Sequence, residues 1–332
     1  MNKFRINPIT RKDLTITTRN MRFSWGLFAY ELILTFVFLI AIRAMDYTHH
    51  YAYSNAEHFS NFVNLFPIIS IAELCIVALL VPITTAGAIT GEKERQTFDI
   101  MMTTQISPLS IVIGKMMTGI SRTMIYVIAS IPIMAVGFTI GGISWWTLLF
   151  YLALVLVLAI FEAAIGLFCS SVCKKTVTAI VMSYIIIAVV CAGTFIPILL
   201  VLLSSMFDGG SNLGGHMGEQ IAMSVSLISV LPNPIMMFIE FYTHVIFGES
   251  MIIKEWADEC VPGLAILGHG PVWIILSVIV ILLVSMAFIA LAAVNVDPIK
   301  RSPGKIRQDK KQTQAVKPAA PSDPARDTEK DI

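Results

Sequence analysis

The sequence predicts an all-α integral membrane protein of six transmembrane helices with both termini cytoplasmic. Three observations carry that prediction. Of the 332 residues, 56% are apolar and 14% charged, whereas a soluble domain holds about 25% charged residues. Six apolar runs reach or approach spanning length, and the basic residues are placed almost entirely on alternate connections. With 23 Lys and Arg against 22 Asp and Glu the net charge is +1, so bulk charge gives no reason to expect nucleic acid as a partner.

A hydrocarbon layer of about 30 Å needs about 20 apolar residues. The runs that meet this are 25–42, 66–89, 123–140, 145–172, 177–203 and 271–294. With a cytoplasmic N-terminus, 21 of the 23 basic residues lie inside and only Arg43 and Lys254 outside, which is the positive-inside pattern. The stretch 221–247 is apolar enough to suggest a seventh span. Pro232-Asn233-Pro234 breaks it, it carries Glu240, and a further crossing would place nine basic residues of the tail outside. It is expected to form two short helices on or dipping into the outer face, within the external loop 205–270. Trp145, Trp146 and Trp273 suit interface anchors on that outer side.

The expected organisation is a basic cytoplasmic N-terminal segment over 1–24, a six-span unit over 25–296 and a disordered cytoplasmic tail over 297–332. No short apolar region with a small-residue cleavage site follows the basic N-terminus, so it reads as mature chain. The five cysteines do not form a disulfide framework.

The second span runs into Gly91-Glu92-Lys93-Glu94-Arg95-Gln96-Thr97-Phe98-Asp99, five charges within eight residues from Glu92. Gly91 is suited to break the incoming helix, and Phe98, Met101, Met102 and Gln105 would share one side of a short new one. Ser107-Pro108 then supplies an N-cap and a first-turn proline. Behind it Lys115, Thr118, Gly119 and Arg122 recur at the spacing of one polar face.

This run, followed by Ser107-Pro108-Leu109-Ser110 and Gly114-Lys115, resembles the signature of ABC-2 type permeases, membrane subunits of ATP-binding-cassette exporters. The opening Asn7-Pro8-Ile9-Thr10-Arg11-Lys12-Asp13-Leu14, with Arg19 and Arg22 behind it, is similar to that family's start, which implies a basic interfacial helix over 1–24 before the first span. Gln96, Phe98 and Asp13 depart from the commoner residues at their positions. The resemblance implies a coupling helix between spans two and three, seated on a separate ATP-binding subunit. Gly91, Glu92, Lys93, Glu94, Arg95, Thr97, Phe98 and Met101 would form that contact, with charges setting register and Phe98 and Met101 as anchors. It further implies a second copy or a paralogous permease as partner, a lipid environment in the cell membrane, and ATP with Mg bound by the partner ATPase, not by this chain.

The residues themselves point away from an enzyme. No Gly-x-x-x-x-Gly-Lys-Ser/Thr occurs, since Gly114-Lys115-Met116 lacks both the first glycine and the hydroxyl, and no metalloprotease or nucleophile-elbow motif is present. His49, His50 and His58 read as a solvated loop, and Cys169 with Cys173 as small packing groups; no metal is expected. Glu31, Glu73 and Glu162 fall in apolar runs, where a carboxylate must face protein or a cavity. Glu73 and Glu162 are candidates for the translocation path or the subunit interface, and Glu31 for a pair with an N-terminal base. Pro82, Pro132 and Pro197 could bend their spans. The expected function is the permease of an exporter coupled to a separate ATPase. The alternative is a membrane scaffold or assembly factor that keeps the permease fold without transport, and the substrate is not encoded in any motif.

Overall fold

A computed structural model describes residues 20–49, 64–98, 108–140, 144–207, 216–248, 252–258, 260–261 and 267–296. Ten helices follow one another among them: α1 (Met21–His49), α2 (Leu65–Glu94), α3 (Pro108–Ile140), α4 (Trp145–Val172), α5 (Thr176–Gly193), α6 (Ile196–Phe207), α7 (His216–Val230), α8 (Pro234–Phe247), α9 (Ile252–Asp258) and α10 (Gly270–Val296). No strand occurs among the described residues. Six of these stretches are long and apolar enough to cross a membrane, α5 and α6 together making one.

The bundle is built around α4. Its spanning window is 61% buried, against 17% for α1 and 11% for the α5 span, because α2 and α10 flank it while α3 and α5 close its remaining sides. Helices in lipid gain little from apolar contact alone and associate through close backbone approach and polar contacts. Both devices meet at Thr85. A Cβ added at Gly166 of α4 would overlap Thr85 Oγ1 and stand 3.2 Å from the Ala86 nitrogen, and one added at Gly119 of α3 would meet the Thr85 methyl at 2.5 Å. One turn further along, Ser170 Oγ accepts the backbone N–H of Ile89 and of Thr90, each at 3.0 Å. Three helices therefore cross where α3 and α4 offer glycine.

The polar face of α3 has a different environment from the one its sequence suggests. Lys115 pairs with Glu92, Thr118 is buried and Gly119 meets Thr85. The face turns toward α2, with Lys115 paired to Glu92 and the Thr118 hydroxyl donating to the Gly114 carbonyl. Helices α2 and α3 also run unbroken through Pro82 and Pro132. The fifth span does break, at Thr194-Phe195, just before Pro197 in α6.

Segment 216–247 forms a helix pair bent by 97° at Leu231–Asn233. Asn233 Oδ1 accepts from the Ile235 N–H at 2.9 Å and caps α8, with Pro234 at its first position. Its Nδ2 donates to the Cys191 carbonyl at 3.0 Å and to Thr194 Oγ1 at 2.8 Å, locking this elbow onto the break between α5 and α6. Helices α7, α8 and α9 thereby fold over the start of α10. Trp273 is enclosed there among Leu227, Val230, Leu231, Met236 and Ile253. This corrects its expected role as an interface anchor, since a lid of helices covers the span's first turns. Trp145 and Trp146 are exposed.

Candidate functional site

The charged run at the end of α2 is the site the sequence singles out, and the local fold places its break later than expected. The helix continues through Gly91 to Glu94, and an added Cβ at Gly91 would meet nothing within 4 Å. Termination falls instead at Gln96, whose φ of 57° is left-handed. The Thr97 N–H reaches the Glu92 carbonyl at 3.0 Å and the Gln96 N–H the Lys93 carbonyl at 3.2 Å. That pair of bonds is the Schellman arrangement, in which glycine is the usual left-handed residue. The correction has a plain cause: α2 is held by neighbours past Gly91, so helix propensity at one glycine does not decide its end.

Those neighbours are reached by three successive side chains. Glu92 Oε1 lies 3.3 Å from Lys115 Nζ on α3, and its Oε2 accepts from Thr97 Oγ1 at 2.5 Å. Lys93 Nζ donates to the carbonyls of Ser170, Ser171 and Cys173 at 2.9, 2.6 and 3.0 Å. These are carbonyls of the last turn of α4 and its C-cap, which have no intrahelical donor and carry the negative end of the helix dipole. Glu94 acts on the opposite pole of the next helix. Its carboxylate accepts the Thr176 N–H at 2.7 Å and the Thr176 hydroxyl at 2.9 Å. The N-cap residue Lys175 makes no side-chain capping bond, so Glu94 supplies from α2 the cap that α5 lacks. The end of α2 is thus tied to Lys115 in the early turns of α3, to the end of α4 and to the start of α5.

The remaining predicted residues divide. Phe98 is half-buried against its own protomer's core, with Lys93 Nζ 5.8 Å from the ring centroid. It is therefore engaged within the chain and not held free as an anchor. Arg95 and Thr97 are exposed, and Arg95 makes no ion pair among the described residues. Met101, with the rest of the expected helix over 99–107, lies outside the described residues. So do His50, His58, the N-terminal segment 1–19 and the tail from 297. Among the described residues no group of His, Cys, Asp and Glu is arranged to hold a metal, and all five cysteines are free.

The two carboxylates expected on a path or an interface are enclosed within the protomer. Glu73 accepts hydrogen bonds from Tyr30 (3.1 Å) and Ser130 (2.5 Å) at Oε1 and from Tyr151 (2.9 Å) at Oε2, joining α1, α3 and α4 to α2. Glu162 is 2% exposed at the heart of α4, and its Oε2 has no hydrogen-bond partner among the described residues. Glu31 forms no ion pair with a described base, and its Oε1 is likewise without a hydrogen-bond partner among the described residues. The residues that sequence reasoning missed are hydroxyls in apolar helices: Tyr30, Ser130, Tyr151, Ser170 and Thr176. None sits in a pattern; each is identified only by what lies opposite it.

Six spanning stretches, five of them set around the buried sixth, α4, with α2, α3, α4 and α5 joined through one charged turn, define a multi-pass membrane protein. The family model for ABC-2 family transporter proteins matches residues 29–284, and the chain belongs to that family. It is a membrane transport component of an ABC-type system. The match takes in every described spanning stretch apart from the ends of α1 and α10. A search among curated proteins finds no match to the chain.

Proposed function

We propose that this chain is the permease of an ABC exporter, paired with a second permease copy and driven by a separate ATP-binding subunit that holds ATP and Mg. The observation that carries this reading is the clamp at Glu92–Glu94. A displacement applied at the turn after α2 reaches α3 through Lys115, the end of α4 through Lys93 and the start of α5 through Glu94. Coupling of a partner's closure to a membrane path requires such rigid linkage between the contact point and several spans. Within the turn, the exposed Arg95 and Thr97 are then the parts offered to the partner, while Lys93 and Glu94 transmit. The positive-inside distribution supports a cytoplasmic position for this end.

The test separates contact from transmission. In the full-length chain co-expressed with its ATP-binding subunit, Arg95→Glu is expected to weaken co-purification, because a rim charge sets partner register. Lys93→Met is expected to leave co-purification in place while uncoupling ATP hydrolysis from transport in reconstituted vesicles. If Lys93→Met transports normally, or if no ATP-binding subunit co-purifies with the unmodified chain, the reading is wrong.

A further inference from the structure

Lys174 and Lys175 form the exposed corner between α4 and α5, and neither makes an ion pair among the described residues. The Lys93 ammonium lies against the Cys173 carbonyl at 3.0 Å, so a third positive charge adjoins the same corner. Glu94, within electrostatic reach of Lys175, directs both carboxylate oxygens at Thr176, and Glu92 is paired with Lys115. The corner therefore keeps an excess of positive charge, at the end of the bundle that the positive-inside distribution assigns to the cytoplasm. Beneath it, Val177, Val181, Ile185 and Val189 recur at four-residue spacing on the outward side of α5 and are between 51% and 72% exposed. From Val177 to Val189 this row runs about 18 Å along the helix axis, against about 15 Å for the hydrocarbon depth of one leaflet.

We propose that this corner is a site for an anionic phospholipid of the inner leaflet, with its headgroup held by Lys174 and Lys175 and its acyl chains laid along the row from Val177 to Val189. Paired ammonium groups above an apolar row of leaflet depth match the two halves of such a lipid, and the negative surface potential of that leaflet attracts each lysine near it. A water-soluble partner would cover the lysines without reaching the apolar row. A second copy packed on the row would bring its own Lys174 and Lys175 to the same depth and add positive charge there. The site rests on the cytoplasmic assignment of this end and not on the exporter reading.

The full-length chain in mixed micelles is titrated with phosphatidylglycerol and with phosphatidylcholine of the same acyl chains, and retained lipid is read by native mass spectrometry. Saturable retention of phosphatidylglycerol over phosphatidylcholine is expected, weakened about tenfold or more by Lys174→Ser with Lys175→Ser and largely kept when both become Arg. Lys310→Ser with Lys311→Ser, an equal loss of charge in the tail, is expected to leave it in place. Should the double serine variant not fold, Lys174→Ser and Lys175→Ser taken singly are each expected to weaken retention about threefold or more. Equal retention of the two lipids, unchanged retention without the two lysines, or equal weakening by the tail variant overturns the proposal. Displacement of the lipid by inorganic phosphate at equal concentration also overturns it and makes the corner a free-anion site. Loss of the ATP-binding subunit or of self-association from the serine variant, with lipid retention intact, overturns it too and gives the corner to a protein interface.

Discussion

Replacing Lys93 by Met keeps most of the aliphatic stem while removing the ammonium, which also stands over the Phe98 ring. Three donors are lost together, and three carbonyls at the end of α4 lose their partner. A hydrogen bond to a charged group contributes about 1.5–3 kcal/mol, and the favourable charge at a helix C-terminus about 0.3–1 kcal/mol more. These carbonyls stand at the rim of the bundle, where water can replace part of what is lost, so the sum is far from threefold. We expect about 2 kcal/mol of destabilisation, a factor of about 30 in the folded-to-unfolded ratio. Equilibrium unfolding of the full chain in mixed micelles measures it, with Lys93→Arg as the control that retains charge but replaces the compact ammonium with a planar fork. A Lys93→Met variant within about 0.5 kcal/mol of the parent, the usual range for surface substitutions, would refute the idea that this lysine holds α4.

Four further outcomes follow from the same geometry. Gln96→Gly is expected to stabilise the chain by about 1 kcal/mol in the same unfolding assay, since the left-handed position penalises any side chain. Gly166→Ala forces a Cβ onto Thr85 and is expected to cost about 1–3 kcal/mol, with partial rescue by Thr85→Ala as the second arm of the cycle. Glu73→Leu leaves Tyr30, Ser130 and Tyr151 without their shared acceptor and is expected to destabilise by about 2–4 kcal/mol, whereas single Phe replacements of either tyrosine cost less. Glu94→Ala uncaps α5, so the Thr176 amide should exchange with deuterium faster while amides in the middle of α4 keep their protection.

The spans were legible because each needs a long apolar run, and lipid enforces that requirement without reference to neighbours. The right-angle pair over 216–247 was legible for a related reason: Pro232-Asn233-Pro234 removes two N–H donors and cannot lie inside one helix. Tertiary contact overrode local signals elsewhere. Gly91 reads as a helix breaker, yet Lys93 and Glu94 fasten the following turn to α4 and α5 and carry the helix on. Trp273 reads as an interface residue because its covering helices come from a distant segment of loop. The charged run itself was visible, but its division of labour was not. Lys93 and Glu94 bind backbone groups of Ser170–Thr176, about 80 residues away in the chain, and backbone groups leave no trace in a sequence. Glu73 was recognised as unusual for its charge in an apolar run, while its partners are hydroxyls common in any helix.

The central claim is that the turn after α2 is where a separate ATP-binding subunit touches this chain. A photo-crosslinking amino acid placed at position 95, in cells expressing the chain with its genomic partners, tests this most directly, with a second insertion at Trp146 on the opposite end of the bundle as the control. The account predicts an adduct with an ATP-binding protein from position 95 and none from position 146. Crosslinks from position 95 to lipid or to the permease alone would contradict it.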